Sequence, residues 1–312
     1  MSNHQKPILF IPGLFGCMSS EIVPRTGSWQ FGFAKHMYLP FLELLKSKNL
    51  HMQRDLFILF YDWRKSVAYN VKTYLIPLLK KIETMTSSTS FHIVAHGTGG
   101  YLARYFIQNY PYSYHIKSLI LIGTPHAGFA SAFSYLTGGE LQLSSDSSLN
   151  FINLYFRMHL YKTLPQRAAL PNYLNQVFPA LGEMIPSNSY GDYLFYEYNQ
   201  KQHFVPYHSM MTTNNFLDRL NAPFNPYTSS TSVHLIAGEG YPTPEHFEIM
   251  PLCTDHLWVD GKVINSIDTL EGDGIHLIRS VFATEGIQHI VKSDYESLLI
   301  KAAPIYLPLI LD

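Results

Sequence analysis

The 312-residue chain carries 22 Lys and Arg against 23 Asp and Glu, a net charge of −1, so it lacks the basic stripe that nucleic-acid binding needs. Charged residues make up only 14% and aromatic residues another 14%, including 22 Tyr and 20 Phe, whereas an average soluble protein is roughly 25% charged. Sparse charge and abundant apolar surface suit a hydrophobic small molecule, a lipid or ester substrate, peripheral membrane contact, or simply a large tyrosine-rich core, and the length fits one domain with a large insertion.

Pro7–Pro12 (PILFIP) is a short apolar run ending in Pro-Gly and reads as a buried strand feeding a loop. Lys6 before it and Gly16-Cys17 after it resemble a lipoprotein signal, but Pro12 and Gly13 interrupt the run, so strand and loop is the expectation. Phe33–Lys46 has helical periodicity, Leu56–Tyr61 is a second strand, and Val67–Ile82 an amphipathic helix that Pro77 should kink. Thr86–Ser90 is a polar loop. Phe91–Ala95 is a third strand, His96–Gly100 a glycine-rich turn, Tyr101–Gln108 a helix and Lys117–Gly123 a fourth strand. Strands alternating with helices predict a mostly parallel central sheet with helices on both faces.

The alternation stops after Gly128. Residues 129–230, rich in Tyr, Phe, Asn, Pro and Leu, read as a cap inserted into a core formed by residues 1–128 and 231–312. Ser232–Gly238 restores the strand pattern, His256–Ile264 around Asp260-Gly261 carries a hairpin signal, and Val291–Ala302 reads as the last helix. No apolar run reaches the roughly 18 residues of a membrane span. With that, a cytoplasmic protein is the expectation; the oligomeric state is open. Cys17 and Cys253 give no disulfide framework, no metal-like cluster is evident, and no cofactor motif is present. Gly97-Thr98-Gly99-Gly100 lacks the spacing and the acidic partner of a dinucleotide loop.

The segment Val94-Ala95-His96-Gly97-Thr98-Gly99-Gly100 lies between a predicted strand and a predicted helix, the context of a nucleophile elbow. The elbow's central residue, serine in a hydrolase, is Gly97. Glycine accepts the strained backbone at no steric cost, so the turn survives while the attacking oxygen is lost. The Thr98 side chain should point away from the apex, and His96 and His126 read as packing or structural residues.

Several segments together resemble the lecithin:cholesterol acyltransferase family. They are Lys6–Gly16 (KPILFIPGLFG), Tyr61-Asp62-Trp63-Arg64, Ala95–Gly100, Leu121–Gly128 (LIGTPHAG), Glu271-Gly272-Asp273-Gly274 with Ser280 following, and Gly286-Ile287-Gln288-His289. They occur in the family's order, over roughly residues 6–128 and 232–300. The resemblance implies an α/β-hydrolase fold of the lipase and acyltransferase type. It also implies Asp273 as the triad acid and His289 as the general base. The backbone N–H groups of Leu14 and Thr98 would form the oxyanion hole. Asp62 and Arg64 would give structural support near the site. His276, only three residues past Asp273, reads as too close in chain to face the same carboxylate. Two departures stand beside this pattern: Gly97 for serine, and Ile275 where the acid loop carries threonine.

Three functions follow. The first is acyl-ester hydrolysis or transfer ancestry, inactive as an esterase unless serine is restored at position 97. The second is a non-covalent acid–base enzyme (a cyclase, lyase or isomerase) using His289 with Asp273. The third is a non-catalytic protein that binds a hydrophobic ligand or another protein.

Overall fold

The computed structural model describes residues 5–110, 113–138, 154, 158, 162–163, 170–222, 231–250 and 259–311. The first strand, β1 (Ile8–Ile11), is buried at all four positions, as its uninterrupted apolar sequence requires. The helix α1 (Lys35–Ser47) follows and buries Met37, Tyr38, Phe41 and Leu45, one stripe of its surface. After β2 (Leu56–Ile58) comes α2 (Val67–Asn70), then a π-helical turn over Val71–Leu75, then α3 (Ile76–Thr86). The interruption expected at Pro77 is thus taken up as a widened turn just before the proline, which has no N–H to give the preceding turn.

The strand β3 (Ser90–His96) leads through the glycine turn into α4 (Gly99–Asn109), and β4 (His115–Ile122) follows. The helices α5 (Ala130–Gly138), α6 (Leu170–Val177) and α7 (Asn215–Leu220) flank the short strands β5 (Leu194–Tyr198) and β6 (Lys201–Phe204). The chain closes with β7 (Ser232–Glu239), β8 (Thr243–Met250), β9 (Lys262–Thr269), α8 (Ile278–Val281), β10 (Ile287–Lys292), α9 (Tyr295–Lys301) and α10 (Ala303–Ile310).

Six strands form a fully parallel sheet in the order β10-β7-β4-β3-β1-β2. The chain runs outward from β1 to β2 and then returns to β3 on the other side of β1. The carboxyl ends of β1 and β3 therefore flank the point where strand order reverses, the usual place for a ligand crevice in such sheets. A second sheet, β6-β5-β8-β9, joins strands from both sides of position 230. Its β8 and β9 pair antiparallel with Met250 opposite Lys262. The hairpin signal at His256–Ile264 falls at this connection, and residues 251–258, Cys253 included, lie outside the described residues.

Two features differ from the sequence expectation. Val291–Ala302 is not one helix: β10 runs on through Lys292, and the helix starts at Tyr295 after Asp294 caps it by accepting from Ser297 N at 2.9 Å. The alternation in Ile287–Lys292 is that of an edge strand, with every second side chain exposed. The strand β8 is the other difference, because Pro244 and Glu245 break its apolar pattern and hide it in the sequence.

The helix α4 is buried along most of its length, and Arg104 is buried with it. Its guanidinium donates to His126 Nδ1 at 3.0 Å, Asn221 Oδ1 at 2.9 Å and the Leu220 carbonyl at 2.9 Å, fastening α7 to α4. His126, donating nothing through Nδ1, is a structural acceptor. Arg104→Leu strands these buried acceptors and is expected to lower unfolding stability by about 2 kcal/mol, measurable by urea denaturation.

Candidate active site

The glycine turn folds as an elbow. Gly97 adopts φ +53°, and its N–H donates to the Ile122 carbonyl at 2.9 Å, pinning the end of β3 to β4. Thr98 is buried at the N-cap position of α4, without a side-chain capping hydrogen bond. The loop after β1 lies alongside: a Cβ placed on Gly13 would fall 3.5 Å from the Gly97 Cα and 2.9 Å from the His96 carbonyl oxygen. The backbone units Gly13-Leu14 and Gly97-Thr98 are thereby adjacent at the carboxyl edge of the sheet.

A directed hydrogen-bond relay fixes this corner. The Gly13 N–H donates to the Tyr38 hydroxyl at 3.1 Å, and that hydroxyl meets His96 Nδ1 at 3.2 Å. His96 Nε2 meets the Tyr295 carbonyl at 3.2 Å. A carbonyl only accepts, so His96 carries its proton on Nε2, and Nδ1 accepts from Tyr38. Burial lowers the His96 pKa to about 4, which keeps the ring neutral, as one donor and one acceptor require.

Tyr295 fills the place where a nucleophile's side chain would stand. A Cβ built on Gly97 collides with the Tyr295 hydroxyl oxygen and comes within 3.1 Å of Cζ and 3.2 Å of Cε2. The same hydroxyl lies 2.5 Å from a Cβ built on Gly13. The phenol tip therefore sits between the loop after β1 and the elbow. The ring is clamped. It stacks on His96 at 4.3 Å, meets His276 edge-on at 5.1 Å, and is 3% exposed. Its N–H donates to the Asp273 carbonyl at 2.8 Å. Burial holds the phenol well above its ordinary pKa, so it stays protonated and is a poor nucleophile.

Asp273 is brought to this centre. It packs beside Gly238 at the carboxyl end of β7 and is 1% exposed. Its Oδ1 accepts from Ile275 N at 3.0 Å and His276 N at 2.7 Å, an Asx-type turn that any residue in place of the family's threonine can complete from its backbone. Its Oδ2 has no hydrogen-bond partner among the described residues. Burial raises the Asp273 pKa to about 7 against the pull of those two N–H groups.

His289 is not brought to it. The residue lies in β10 in register with Ile236, three residues before the strand ends at Lys292. At about 3.3 Å per residue it sits roughly 10 Å below the carboxyl edge. Its Nε2 faces His234 Nδ1 at 3.1 Å, the two rings stack at 5.4 Å, and Ser232 bonds the far side of His234. The expected pairing of His289 with Asp273 therefore fails for a geometric reason: the loop beyond the last strand begins at Ser293, and its inward-facing side chain is Tyr295. The histidine that does face Asp273 is His276, with Nδ1 3.9 Å from Oδ2. The turn that Asp273 caps folds the chain back on itself, so a separation of three residues is no obstacle.

Asp62 and Arg64 form a two-pronged ion pair, Nε to Oδ1 at 2.8 Å and Nη2 to Oδ2 at 2.6 Å. Arg64 also donates to the carbonyls of Glu21 and Ile22, and its own carbonyl accepts from Ala180 N at 3.0 Å. The pair braces the long loop after β1 against residues 179–183. Ser280, noted in the acid segment, donates to the Gly128 carbonyl at 2.6 Å and ties that segment to the Thr-Pro-His-Ala-Gly loop. Cys17, the buried free thiol near Asp62, is pushed up to about 12 by burial and offers no thiolate.

The parallel sheet and the glycine elbow between β3 and α4 define an α/β-hydrolase fold. Among solved structures, the propeptide form of the Bacillus licheniformis lipase BlEst2 superimposes with a TM-score of 0.54 at 14% identity, over 100% of this chain and 51% of that one. This chain thus spans about half the length of that structure. The mature form of the same lipase is covered to 94%, with 100% of this chain, a TM-score of 0.47 and 14% identity. Legionella pneumophila phospholipase PlaB aligns over 89% of this chain and 46% of its own, with a TM-score of 0.45 and 10% identity. No curated protein matches the sequence. Residues 34–156 match the family described as lecithin:cholesterol acyltransferase. The chain is an α/β-hydrolase-fold protein that is lecithin:cholesterol acyltransferase-like over that segment.

Proposed function

We propose that this chain is a lipase- and acyltransferase-type scaffold from which covalent ester cleavage has been removed, and that it engages an apolar, acyl- or lipid-like ligand without turning it over. One observation carries the reading. The Tyr295 hydroxyl occupies the volume of a nucleophile side chain at Gly97. The space for a nucleophile is thereby filled, and His289 does not stand beside Asp273, while the Gly13-Leu14 and Gly97-Thr98 backbone units remain adjacent. A lipid or ester ligand is supported by the aromatic, charge-poor composition and by the lecithin:cholesterol acyltransferase match over residues 34–156.

The acid–base alternative needed His289 beside Asp273, and that pair is absent from the site. Restoring serine alone is also insufficient, since its Cβ collides with a phenol that His96 and His276 clamp in place. The test is turnover of p-nitrophenyl acetate and p-nitrophenyl palmitate. We expect neither the wild type nor Gly97→Ser to exceed the uncatalysed rate by more than the roughly 10³-fold that oxyanion binding alone supplies. Brisk turnover by the wild type would overturn the reading.

A further inference from the structure

The histidine missing from the elbow has partners of its own. Residues two apart on a strand share a face of the sheet, and so do residues opposite one another in register. Ser232 and His234 therefore lie on one face of β7, and His289, opposite Ile236, lies on the same face of β10. Their side chains form a continuous line. Ser232 Oγ stands 2.5 Å from His234 Nε2, and His234 Nδ1 stands 3.1 Å from His289 Nε2. A hydroxyl, a ring nitrogen that can take its proton, and an acceptor on the far nitrogen of that ring are the parts of an activated nucleophile.

The ends of the line reach the surface and its middle does not. Ser232 and His289 are half-exposed, whereas His234 between them is 6% exposed. Burial, and then the neighbouring His289, lower the His234 pKa, so its ring is neutral near pH 7 and can act as a base. The next hydroxyl on this face, Ser118 of β4, lies opposite Ser232 and is held by the Leu309 carbonyl at 3.3 Å. On the other face of β7, Val233, Leu235 and Ala237 are buried and apolar. The serine and histidine thus interrupt a strand that a covered parallel sheet otherwise keeps apolar.

We infer that Ser232, His234 and His289 form a nucleophilic site apart from the elbow, in which Ser232 takes up the acyl group of a small activated ester, His234 is the general base and His289 the positioning residue. Ser232 attacks from the arrangement in which its O–H donates to His234 Nε2 and the His234 Nδ1–H donates to His289 Nε2. Oγ bonds to the carbonyl carbon, and its proton passes to His234 Nε2. The bond from that carbon to the leaving oxygen breaks with its electron pair, the leaving group departs as the anion, and His234 returns the proton to solvent. With an aryl ester the products are an O-acyl serine and a phenolate.

The site does not rest on the sealed-elbow reading. Ser232 begins β7, and Gly238, which packs against Asp273, stands six residues on, about 20 Å away at roughly 3.3 Å per residue. The Gly13-Leu14 and Gly97-Thr98 backbone units lie at that far edge and cannot serve Ser232. An aryl ester with a good leaving group reacts without such donors. Hydrolysis of an acyl serine, whose leaving group is an alkoxide, depends far more on them. Ser232 is therefore acylated once and stays acylated, in a chain without steady turnover.

The test is incubation with p-nitrophenyl acetate at about pH 7.5, where the histidines are neutral, with acetylation followed residue by residue by mass spectrometry. Ser232 should acetylate at least about 100-fold faster than the exposed Ser113, the gain a general base supplies. His234→Gln should lower Ser232 to the Ser113 rate. His289→Leu should slow Ser232 at least about 10-fold. His289→Gln, whose amide oxygen can still accept from His234 Nδ1, should restore most of the rate, which a packing role for His289 would not do. If His234→Gln does not fold, the wild-type pH profile decides. Acetylation of Ser232 should level off once the histidines are neutral, whereas an unactivated serine keeps gaining with hydroxide up to about pH 9. A Ser232 rate equal to that of Ser113, or one that tracks hydroxide, overturns the inference. Either result leaves the sealed elbow untouched, because the readout is residue 232 and neither turnover nor residue 97.

Discussion

The double substitution Gly97→Ser with Tyr295→His is expected to raise p-nitrophenyl acetate hydrolysis at least about 100-fold over the wild type, while neither single substitution does so. A positioned general base contributes roughly 10²- to 10⁴-fold, but only with a nucleophile in hydrogen-bond reach. Position 295 lies directly past the last strand, its N–H tied to the Asp273 carbonyl at 2.8 Å. An imidazole there is shorter than a phenol and vacates the space over Gly97. Its Nδ1 would meet Asp273 Oδ2, which has no other side-chain hydrogen bond. Its Nε2 would face the new serine hydroxyl. Adding Asp273→Asn to the double variant should then remove most of the gain, about 10³- to 10⁴-fold, because the imidazole loses the partner that sets its tautomer. A serine variant active without the histidine would show that Tyr295 yields easily.

Gly128→Ala is expected to cost about 3 kcal/mol of unfolding stability, read as a lowered urea midpoint at unchanged slope. Gly128 stands at φ +85°, a left-handed conformation that costs an alanine roughly 1–2 kcal/mol. A Cβ there also collides with the Ile185 carbonyl oxygen and lies 2.7 Å from its carbon and 2.9 Å from Pro186 Cα. These are backbone atoms of the segment after residues 179–183, and overpacking of that kind adds roughly 1–3 kcal/mol. The affected contact joins the Thr-Pro-His-Ala-Gly loop to Met184, since Phe129 N donates to the Met184 carbonyl at 3.1 Å. A loss below about 1 kcal/mol would mean that this junction is loose.

The sequence made the centre of the sheet legible because β1, β3 and β4 are buried on both faces and read as unbroken apolar runs. The turns at Gly97 and Gly274 were legible because glycines mark them: both have positive φ. The edge was not legible. In β10 only His289 and Val291 are even half-buried, and its apolar residues merge into those of α9, so a strand and a helix read as one helix. That merger hid the end of the last strand, and with it the position that faces Asp273. A histidine in approximately the right place, His289, then drew the assignment away from Tyr295. Asp294 before Tyr295, with Ser297 three residues on, was the local cap signal that could have placed the strand end correctly. The facing of Asp273 and His276 was hidden for another reason. Spacing alone does not show that an Asx turn brings residues i and i+3 together.

Labelling by a fluorophosphonate probe, read by mass spectrometry at residue 97, tests the sealing of the elbow most directly. The account predicts no adduct on the wild type or on Gly97→Ser. It predicts near-stoichiometric adduct at position 97 when Gly97→Ser is combined with Tyr295→His. Full labelling of Gly97→Ser with Tyr295 in place would contradict it, since the phenol would then not occupy the space that the serine needs.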